Sequence, residues 1–286
     1  MWPRLRRVLG VAEPFSVLMS VYAGDRPAAF AAAIASVTTE QTLAPSELVL
    51  VVDGPVPAGI AAVLRRVEAG ELTGTVPVRL VALPGNVGLA LALEEGLDAC
   101  RHSIVARADA DDLSLAHRFA VQVPMVAGGL DLVGSALVEF AEETGPDGVV
   151  RELPVAAADI ATMARFRDPF NHPTVVYRRE AVRSAGGYEH LNKMEDYWLF
   201  ARMIMAGAAV ANTDQILVRY RVGAGAYDRR GGFEMLRSEL ILQWHFRRSG
   251  FTSIGQFARN VLVRGGYRLV PVWLRSGAYR RMVRPR

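Results

Sequence analysis

Short apolar runs alternate with helix-like stretches through the first hundred residues of the chain. Four runs have the length and composition of strands buried on both faces of a sheet, and they cover residues 15–22, 47–52, 78–83 and 103–106. The stretches between them, residues 28–37, 60–69 and 89–100, have the patterns of helices. Strands that alternate with helices in this way are typical of βαβ units. The pattern therefore predicts an α/β fold around a parallel sheet.

The alternation becomes less regular after residue 113. Helical patterns cover residues 117–125, 159–166 and 194–205, while strand patterns cover residues 131–140 and 215–222 and the end of residues 169–177. We expect residues 142–148 to form an acidic hairpin or loop. This half is predicted to be α+β. We divide the chain into one domain over residues 1–232, with halves at about 13–112 and 113–232, and a helical tail over residues 233–286.

Each of the four predicted parallel strands ends at residues that carry useful chemistry. These residues are Tyr22, Asp53, Asn86, Gly88, Asp109 and Asp111. The carboxyl ends of parallel strands meet at one edge of the sheet, where ligands of open α/β sheets bind. Clustered carboxylates raise one another's pKa unless a cation neutralises them, and Mg²⁺ or Mn²⁺ takes carboxylate and phosphate oxygens together. A single Asp-x-Asp is more often an acidic turn, so the prediction of a site depends on all four strand ends.

Two common nucleotide-binding patterns are absent from the sequence. The residues after the first strand lack the spaced glycines of a dinucleotide fingerprint, and the chain has no phosphate-loop lysine motif. A nucleotide would therefore be held by other means.

Six motifs, in order and spacing, resemble those of family 2 glycosyltransferases, with the bacterial polysaccharide type most similar. They are Ser20-Val21-Tyr22, Val52-Asp53-Gly54, Gly85-Asn86-Val87-Gly88-Leu89, Asp109-Ala110-Asp111-Asp112, Asn171-His172-Pro173 and Glu195-Asp196. Together they span roughly residues 15–222. The resemblance implies a GT-A fold, with a mostly parallel central sheet flanked by helices and, here, a C-terminal helical appendage. It also implies an inverting enzyme that moves a sugar from a nucleotide-diphospho-sugar to a saccharide acceptor.

The resemblance also implies a donor site. Its expected residues are Ser20, Tyr22, Asp53, Asn86, Gly88, Arg107, Asp109 and Asp111. Asp53 would accept the imide N–H of uracil or thymine from a UDP- or dTDP-sugar. Asp109 would lie by the ribose, and Asp111 would bind the Mg²⁺ or Mn²⁺ that bridges the diphosphate.

On the acceptor side, the resemblance makes Asp196 the general base, with Glu195 beside it. We place His172, Trp198, Arg219 and Arg221 near the acceptor or the phosphates. A structural hydrogen bond for His172 and core packing for Trp198 are equally expected. Many relatives carry a metal-binding histidine after the last core strand, whereas this chain has glycine and alanine at residues 223–226.

The charge of the chain is concentrated in the predicted tail. Residues 233–286 carry eleven arginines against Glu234 and Glu239. With Tyr267, Trp273 and Tyr279 among them, the arginines favour an anionic membrane surface over nucleic acid, for which we expect no role. A helix packed on the body with a solvated arginine face is the alternative.

The sequence also favours a cytoplasmic location. No apolar stretch is long enough to span a membrane, and the apolar run at residues 8–11 is too short for a signal peptide. We expect a cytoplasmic protein that is peripheral on the inner face of the cell membrane, with an acceptor that is lipid-linked.

Two other functions remain open at this point. A sugar-nucleotide nucleotidyltransferase shares the sheet layout, but it would need a glycine-rich loop with basic residues after the first strand. A non-catalytic GT-A protein with a degenerate site, peripheral on a membrane, would explain the missing histidine.

Overall fold

The parallel half of the fold matches the predicted βαβ pattern. A computed structural model describes residues 13–222 and 232–269. Its first four strands are β1 (Phe15–Tyr22), β2 (Glu47–Asp53), β3 (Val78–Ala82) and β4 (Ile104–Asp109). They pair in parallel in the order β3-β2-β1-β4. Strand β4 continues beyond the predicted end at residue 106, so Asp109 is its last residue.

Helices cover both faces of this sheet. The connecting helices are α1 (Pro27–Val37), α2 (Ala58–Glu68) and α3 (Leu89–Ala99). Apolar side chains of α1 and α2 pack on one face, whereas those of α3 pack on the other. Because both faces are covered, β1 and β2 are apolar along almost their whole length.

Within the described residues, the second half adds five strands to the same sheet, mostly in antiparallel pairs. Its strands are β5 (Leu113–Ser114), β6 (Leu132–Phe140), β7 (Val150–Arg151), β8 (Val176–Arg178) and β9 (Val210–Arg221). Strand β8 lies antiparallel between β4 and β6, and β9 runs parallel to β6. The predicted GT-A architecture is confirmed, with the parallel pairing concentrated in the first half and a mixed sheet beyond it.

The described part of the second half contains four α-helices, and the last of them carries the predicted Glu195-Asp196 pair. They are α4 (Arg118–Ala127), α5 (Ala157–Met163), α6 (Arg179–Ser184) and α7 (Glu195–Met205). Helix α7 begins at the predicted Glu195-Asp196 pair, so both carboxylates lie in its first turn, where a helix dipole favours negative charge.

The described part of the predicted tail packs against the body. It contains α8 (Phe233–Arg248), α9 (Ile254–Asn260), a π-helical turn (Val261–Gly265) and α10 (Gly266–Leu269). Apolar residues of α8 bury Tyr197 and Trp198 of α7. Trp273, Tyr279 and the rest of residues 270–286 lie outside the described residues. Within residues 13–222 and 232–269, no helix has the length and apolar character needed to cross a membrane.

Candidate active site

A cavity of about 1120 Å³ opens between the carboxyl end of β4 and the first turn of α7. It brings Arg107 and Asp109 of β4 together with Asn171, His172, Glu195 and Asp196. The structure thus places residues from the predicted donor and acceptor groups around one space.

Asp109 is held by a buried arginine. Arg107 is only 2% exposed, and its guanidinium pairs with both carboxylate oxygens of Asp109, with Nη1 lying 2.5 Å from Oδ2. Residues two apart in a strand project from the same face, which is why this pair forms within β4. In register, Ser20 of β1 lies beside Asp109 and Tyr22 lies beside Asp53. The predicted strand-end cluster is therefore present.

Asp111 lies close to Asp109 and to Asp25, a carboxylate that the sequence analysis did not select. Burial raises the pKa of Asp111 to about 6, and the charge of Asp109 adds to the effect. Burial likewise raises the pKa of Asp25 to about 6, with contributions from Asp111 and Asp109. The carboxylate of Asp25 also accepts the Tyr22 N–H at 2.9 Å. Its position just after β1 is the signal that could have identified it.

This carboxylate group suits a cation that is shared with a ligand. In the described part of the chain, no three His, Cys, Asp or Glu side chains are arranged to hold a metal ion without other ligands. Mg²⁺ typically takes one or two carboxylates and completes its shell with water and phosphate oxygens. Burial and, to a smaller extent, the neighbouring carboxylates raise the pKa values of Asp25 and Asp111, and a cation bound beside them would favour their charged forms.

Asp53 anchors the loop that follows β3. Its carboxylate accepts hydrogen bonds from the backbone N–H groups of Val87 (2.7 Å) and Gly88 (3.1 Å) and from the Asn86 side chain (3.1 Å). Gly54 next to it has φ of 82°, and a Cβ there would lie 2.5 Å from the Asn86 nitrogen. Three predicted donor residues are thus joined in one hydrogen-bonded unit.

His172 connects Asp196 to Tyr188. Its Nδ1 lies 3.7 Å from Asp196 Oδ2, and its Nε2 lies 3.1 Å from the Tyr188 hydroxyl. Burial and, to a smaller extent, Arg107 lower the pKa of His172 well below its usual value, so the ring is neutral at pH 7. The neutral ring is hydrogen-bonded to Tyr188 through Nε2, whereas its Nδ1 is in contact with Asp196 at a distance too long for a hydrogen bond.

Three carboxylates, those of Asp168, Glu195 and Asp196, line the cavity near the first turn of α7. Burial, followed by the charge of Asp196, raises the pKa of Glu195 to about 7. Burial also raises the pKa of Asp196, while the Tyr197 N–H that it accepts at 2.7 Å lowers it. Asp168 was not selected from the sequence, although it comes shortly before the Asn171-His172-Pro173 motif. Burial and Asp196 raise its pKa well above the usual value.

The remaining predicted acceptor residues lie elsewhere or are already paired. Trp198 is buried between α7 and α8, where its Nε1 donates to Glu189 at 2.8 Å and its ring lies 5.0 Å from that of His245. Arg221 donates from Nε to the Asp111 carbonyl at 2.8 Å and pairs with Glu143 at 2.8 Å. Arg219 pairs with Asp147 at 2.9 Å. The acidic loop at residues 142–148 therefore neutralises both arginines.

One cavity residue has an unusual backbone. Among the described residues other than glycine, only Lys193 has a positive φ, at 60°. Such conformations cost free energy and concentrate at functional sites. Lys193 precedes the Glu195-Asp196 pair and lines the same cavity.

Comparison with known proteins identifies the family of the chain. Residues 16–187 match the model of glycosyl transferase family 2. The chain is 39% identical over 230 residues to the amylovoran biosynthesis glycosyltransferase AmsE of Erwinia amylovora, covering 80% of this chain and 84% of that protein. It is 31% identical over 272 residues to the UDP-Gal:alpha-D-GlcNAc-diphosphoundecaprenol beta-1,3-galactosyltransferase of Escherichia coli, covering 94% and 96%.

A solved structure supports the fold independently. The mannosyltransferase PcManGT from Pyrobaculum calidifontis, in complex with GDP-Man and Mn²⁺, superposes with a TM-score of 0.61 at 18% identity. The match covers 94% of this chain and 74% of that one. With the strand-end carboxylates in place and more than half of the chain matched by the family model, the protein belongs to glycosyl transferase family 2 and is a glycosyltransferase of bacterial polysaccharide biosynthesis.

Proposed function

We propose that the protein is an inverting, metal-dependent glycosyltransferase that moves a sugar from a UDP- or dTDP-sugar to a lipid-linked saccharide. The observation that carries this proposal is the position of Asp196. Its carboxylate lines the same cavity as Asp109, the last residue of β4, where the donor would bind. A base and a donor that share one cavity fit a single displacement.

In that displacement, Asp196 takes the proton of the acceptor hydroxyl as the hydroxyl oxygen bonds to the anomeric carbon. The bond from that carbon to the diphosphate oxygen breaks, and its electron pair leaves with the nucleoside diphosphate. Attack from the face opposite the leaving group inverts the anomeric centre. His172 packs beside Asp196 as a neutral ring, so it does not neutralise the carboxylate, which accepts the Tyr197 N–H.

The donor end of the cavity would hold the nucleotide. Asp111, with Asp25 close by, would be the protein's contribution to a Mg²⁺ or Mn²⁺ site. The bound cation supplies charge stabilisation to the departing diphosphate. Asp53 keeps the loop at residues 84–88 in place, and its remaining lone-pair capacity would serve a uracil or thymine imide.

The acceptor proposal rests on the relatives. The E. coli galactosyltransferase is named for a sugar linked to diphosphoundecaprenol, and it covers nearly the whole of this chain. By analogy, this enzyme would act on a saccharide carried by a lipid diphosphate at the inner face of the cell membrane. The basic C-terminal segment would support attachment to that surface.

The alternatives predict different assay results. The family assignment does not favour a nucleotidyltransferase, whereas a non-catalytic protein with a degenerate site stays open because residues 223–226 lack the expected histidine. Release of UDP or dTDP from a panel of nucleotide sugars, with and without Mn²⁺, distinguishes an active glycosyltransferase from a non-catalytic protein. Metal-dependent release that is lost in Asp111→Asn supports the enzyme, while no release from any donor supports the degenerate site.

A further inference from the structure

We propose that a second cavity binds the diphosphate of the lipid-linked acceptor, an inference that rests on the proposed function. This cavity, which we call the arginine cavity, has a volume of about 500 Å³ and lies between α5 and α9. Three arginines line it, Arg167, Arg259 and Arg264, and Asp159 is the one acidic residue in its wall. Its net positive charge suits an anion.

The arginine cavity adjoins the candidate active site. Arg167 and Arg264 line both spaces, so a ligand that occupies one is next to the other. Arg264 is committed to the fold, because its guanidinium bonds both oxygens of buried Glu239 (2.6 and 3.0 Å) and the Phe166 carbonyl (3.0 Å). It therefore forms a rigid wall between the two spaces.

The other two arginines are available to a ligand. Both are exposed, and within the described residues neither forms an ion pair with a carboxylate. The Arg259 guanidinium lies 4.6 Å from the centre of the Phe166 ring, and Nη1 makes a long hydrogen bond (3.3 Å) to Asn260 Oδ1. Stacking on an aromatic ring fixes the plane of a guanidinium while its N–H groups stay free for the bidentate contacts that phosphates accept.

The rim of the arginine cavity is apolar. Val263 lines it and is 55% exposed, and Leu262 next to it is 76% exposed. Two adjacent branched apolar side chains that are both exposed to solvent suit an apolar partner. A diphosphate that carries a hydrocarbon chain satisfies both features, with its phosphates at the arginines and its chain over Leu262 and Val263. The attached sugar would then face the active-site cavity.

Farnesyl diphosphate is a suitable probe, compared with farnesol and with inorganic diphosphate. Binding to the full-length protein is measured by titration calorimetry without divalent metal, so that the donor site does not recruit the phosphates through a cation. The variants are Arg167→Gln, Arg259→Gln, the double variant that combines these two substitutions, and Leu262→Ser. Arg65→Gln, an exposed arginine on α2 that lines neither cavity, is the matched control.

The proposal expects farnesyl diphosphate to bind more tightly than either comparison ligand. The double arginine variant should bind farnesyl diphosphate at least tenfold more weakly. Leu262→Ser should lower the affinity for farnesyl diphosphate and leave the affinity for inorganic diphosphate unchanged. Thermal unfolding and UDP binding with Mn²⁺ check that each variant is folded. Unchanged affinity for farnesyl diphosphate in the double variant would overturn the proposal, as would an affinity for inorganic diphosphate equal to that for farnesyl diphosphate. Turnover of nucleotide sugars is measured separately. Absence of turnover would contradict the proposed function, whereas the binding results alone decide whether the arginine cavity holds a lipid diphosphate.

Discussion

At the scale of single residues, Asp196 and Glu195 are neighbours whose surroundings suit different roles. Asp196 faces the neutral ring of His172, whereas Glu195 has a pKa near 7 and would be partly protonated at neutral pH. Asp196→Asn keeps the shape of the side chain and removes its ability to accept a proton, so we expect turnover to fall by roughly 10² to 10⁴. Donor affinity should change little. A dead Glu195→Gln beside an active Asp196→Asn would mean that the two roles are exchanged.

The pKa of Glu195 gives a prediction about stability and pH. Because the pKa of Glu195 is raised in the folded state, the folded protein binds more protons than the unfolded chain between about pH 4.5 and 7. Stability therefore falls as the pH rises through this window. Glu195→Gln should raise the free energy of unfolding by about 1–3 kcal/mol at pH 8 and have almost no effect at pH 4, because each pKa unit corresponds to about 1.4 kcal/mol. Urea unfolding at the two pH values tests this difference.

His172 should act through Asp196. His172→Ala removes the neutral ring that packs beside Asp196, so the carboxylate loses a neighbour that limits its movement, and we expect kcat to fall at least tenfold while the donor KM stays within about twofold. Tyr188→Phe, which removes only the hydroxyl at Nε2, should have a smaller effect in the same direction. A donor KM that rises in parallel with the loss of kcat would instead place His172 at the donor phosphates.

At the scale of secondary structure, the C-terminal helices contribute to the wall of the candidate active-site cavity. Glu239 of α8 is fully buried and holds Arg264 and Arg268, and Arg264 reaches the active-site cavity. Glu239→Gln would remove the carboxylate that pairs with the enclosed Arg264 guanidinium, which should cost about 3–5 kcal/mol of unfolding free energy. Glu234→Gln on the exposed side of the same helix is the control. Equal stability of the two variants would show that the docking of α8 depends on apolar packing alone.

The sequence predicted the elements whose pattern is local and missed those set by distant contacts. Strands β1 to β4 and their helices follow from apolar runs that are complete in themselves. Strand β5 has two residues, Leu113 and Ser114, and exists because it pairs with β9 about a hundred positions later. The docking of α9 depends on Asn260, whose side chain bonds the Arg165 carbonyl at 2.8 Å, a contact with no sequence signature.

The candidate site was predictable to a similar extent. The motif residues at the strand ends and at the start of α7 were found because their spacing matches a family pattern. Asp25 and Asp168 were missed because each lies in an ordinary turn, and only the fold brings them beside Asp111 and Asp196. Trp198 lies outside the cavity because α8 covers its ring, which no pattern within α7 could indicate.

At the scale of the whole molecule, charge separation should guide the enzyme to its substrate. The last seventeen residues, 270–286, contain five arginines and no acidic residue. Each basic residue near an anionic surface contributes about 1 kcal/mol, so we expect cosedimentation with anionic liposomes, weaker binding to neutral ones and release by high salt. Truncation after Leu269 should reduce this binding while keeping the packed helices.

A truncation before Phe251 is less suitable for this test. Phe251 packs on Phe246, and its carbonyl accepts a hydrogen bond from Arg165 at 2.9 Å, so its removal would disturb the body as well as the tail. Equal binding of full-length and shortened protein to anionic vesicles would assign attachment to the helices that remain.

Lys193 has one more consequence, which concerns chemical labelling. It is the only lysine of the chain, its side chain is 45% exposed, and it lines the active-site cavity. An amine-selective reagent therefore has one side chain to modify, in addition to the α-amino group. A fluorophore attached there would report occupancy of the cavity directly, and protection from labelling by bound ligands would rank donors and acceptors without any need for turnover.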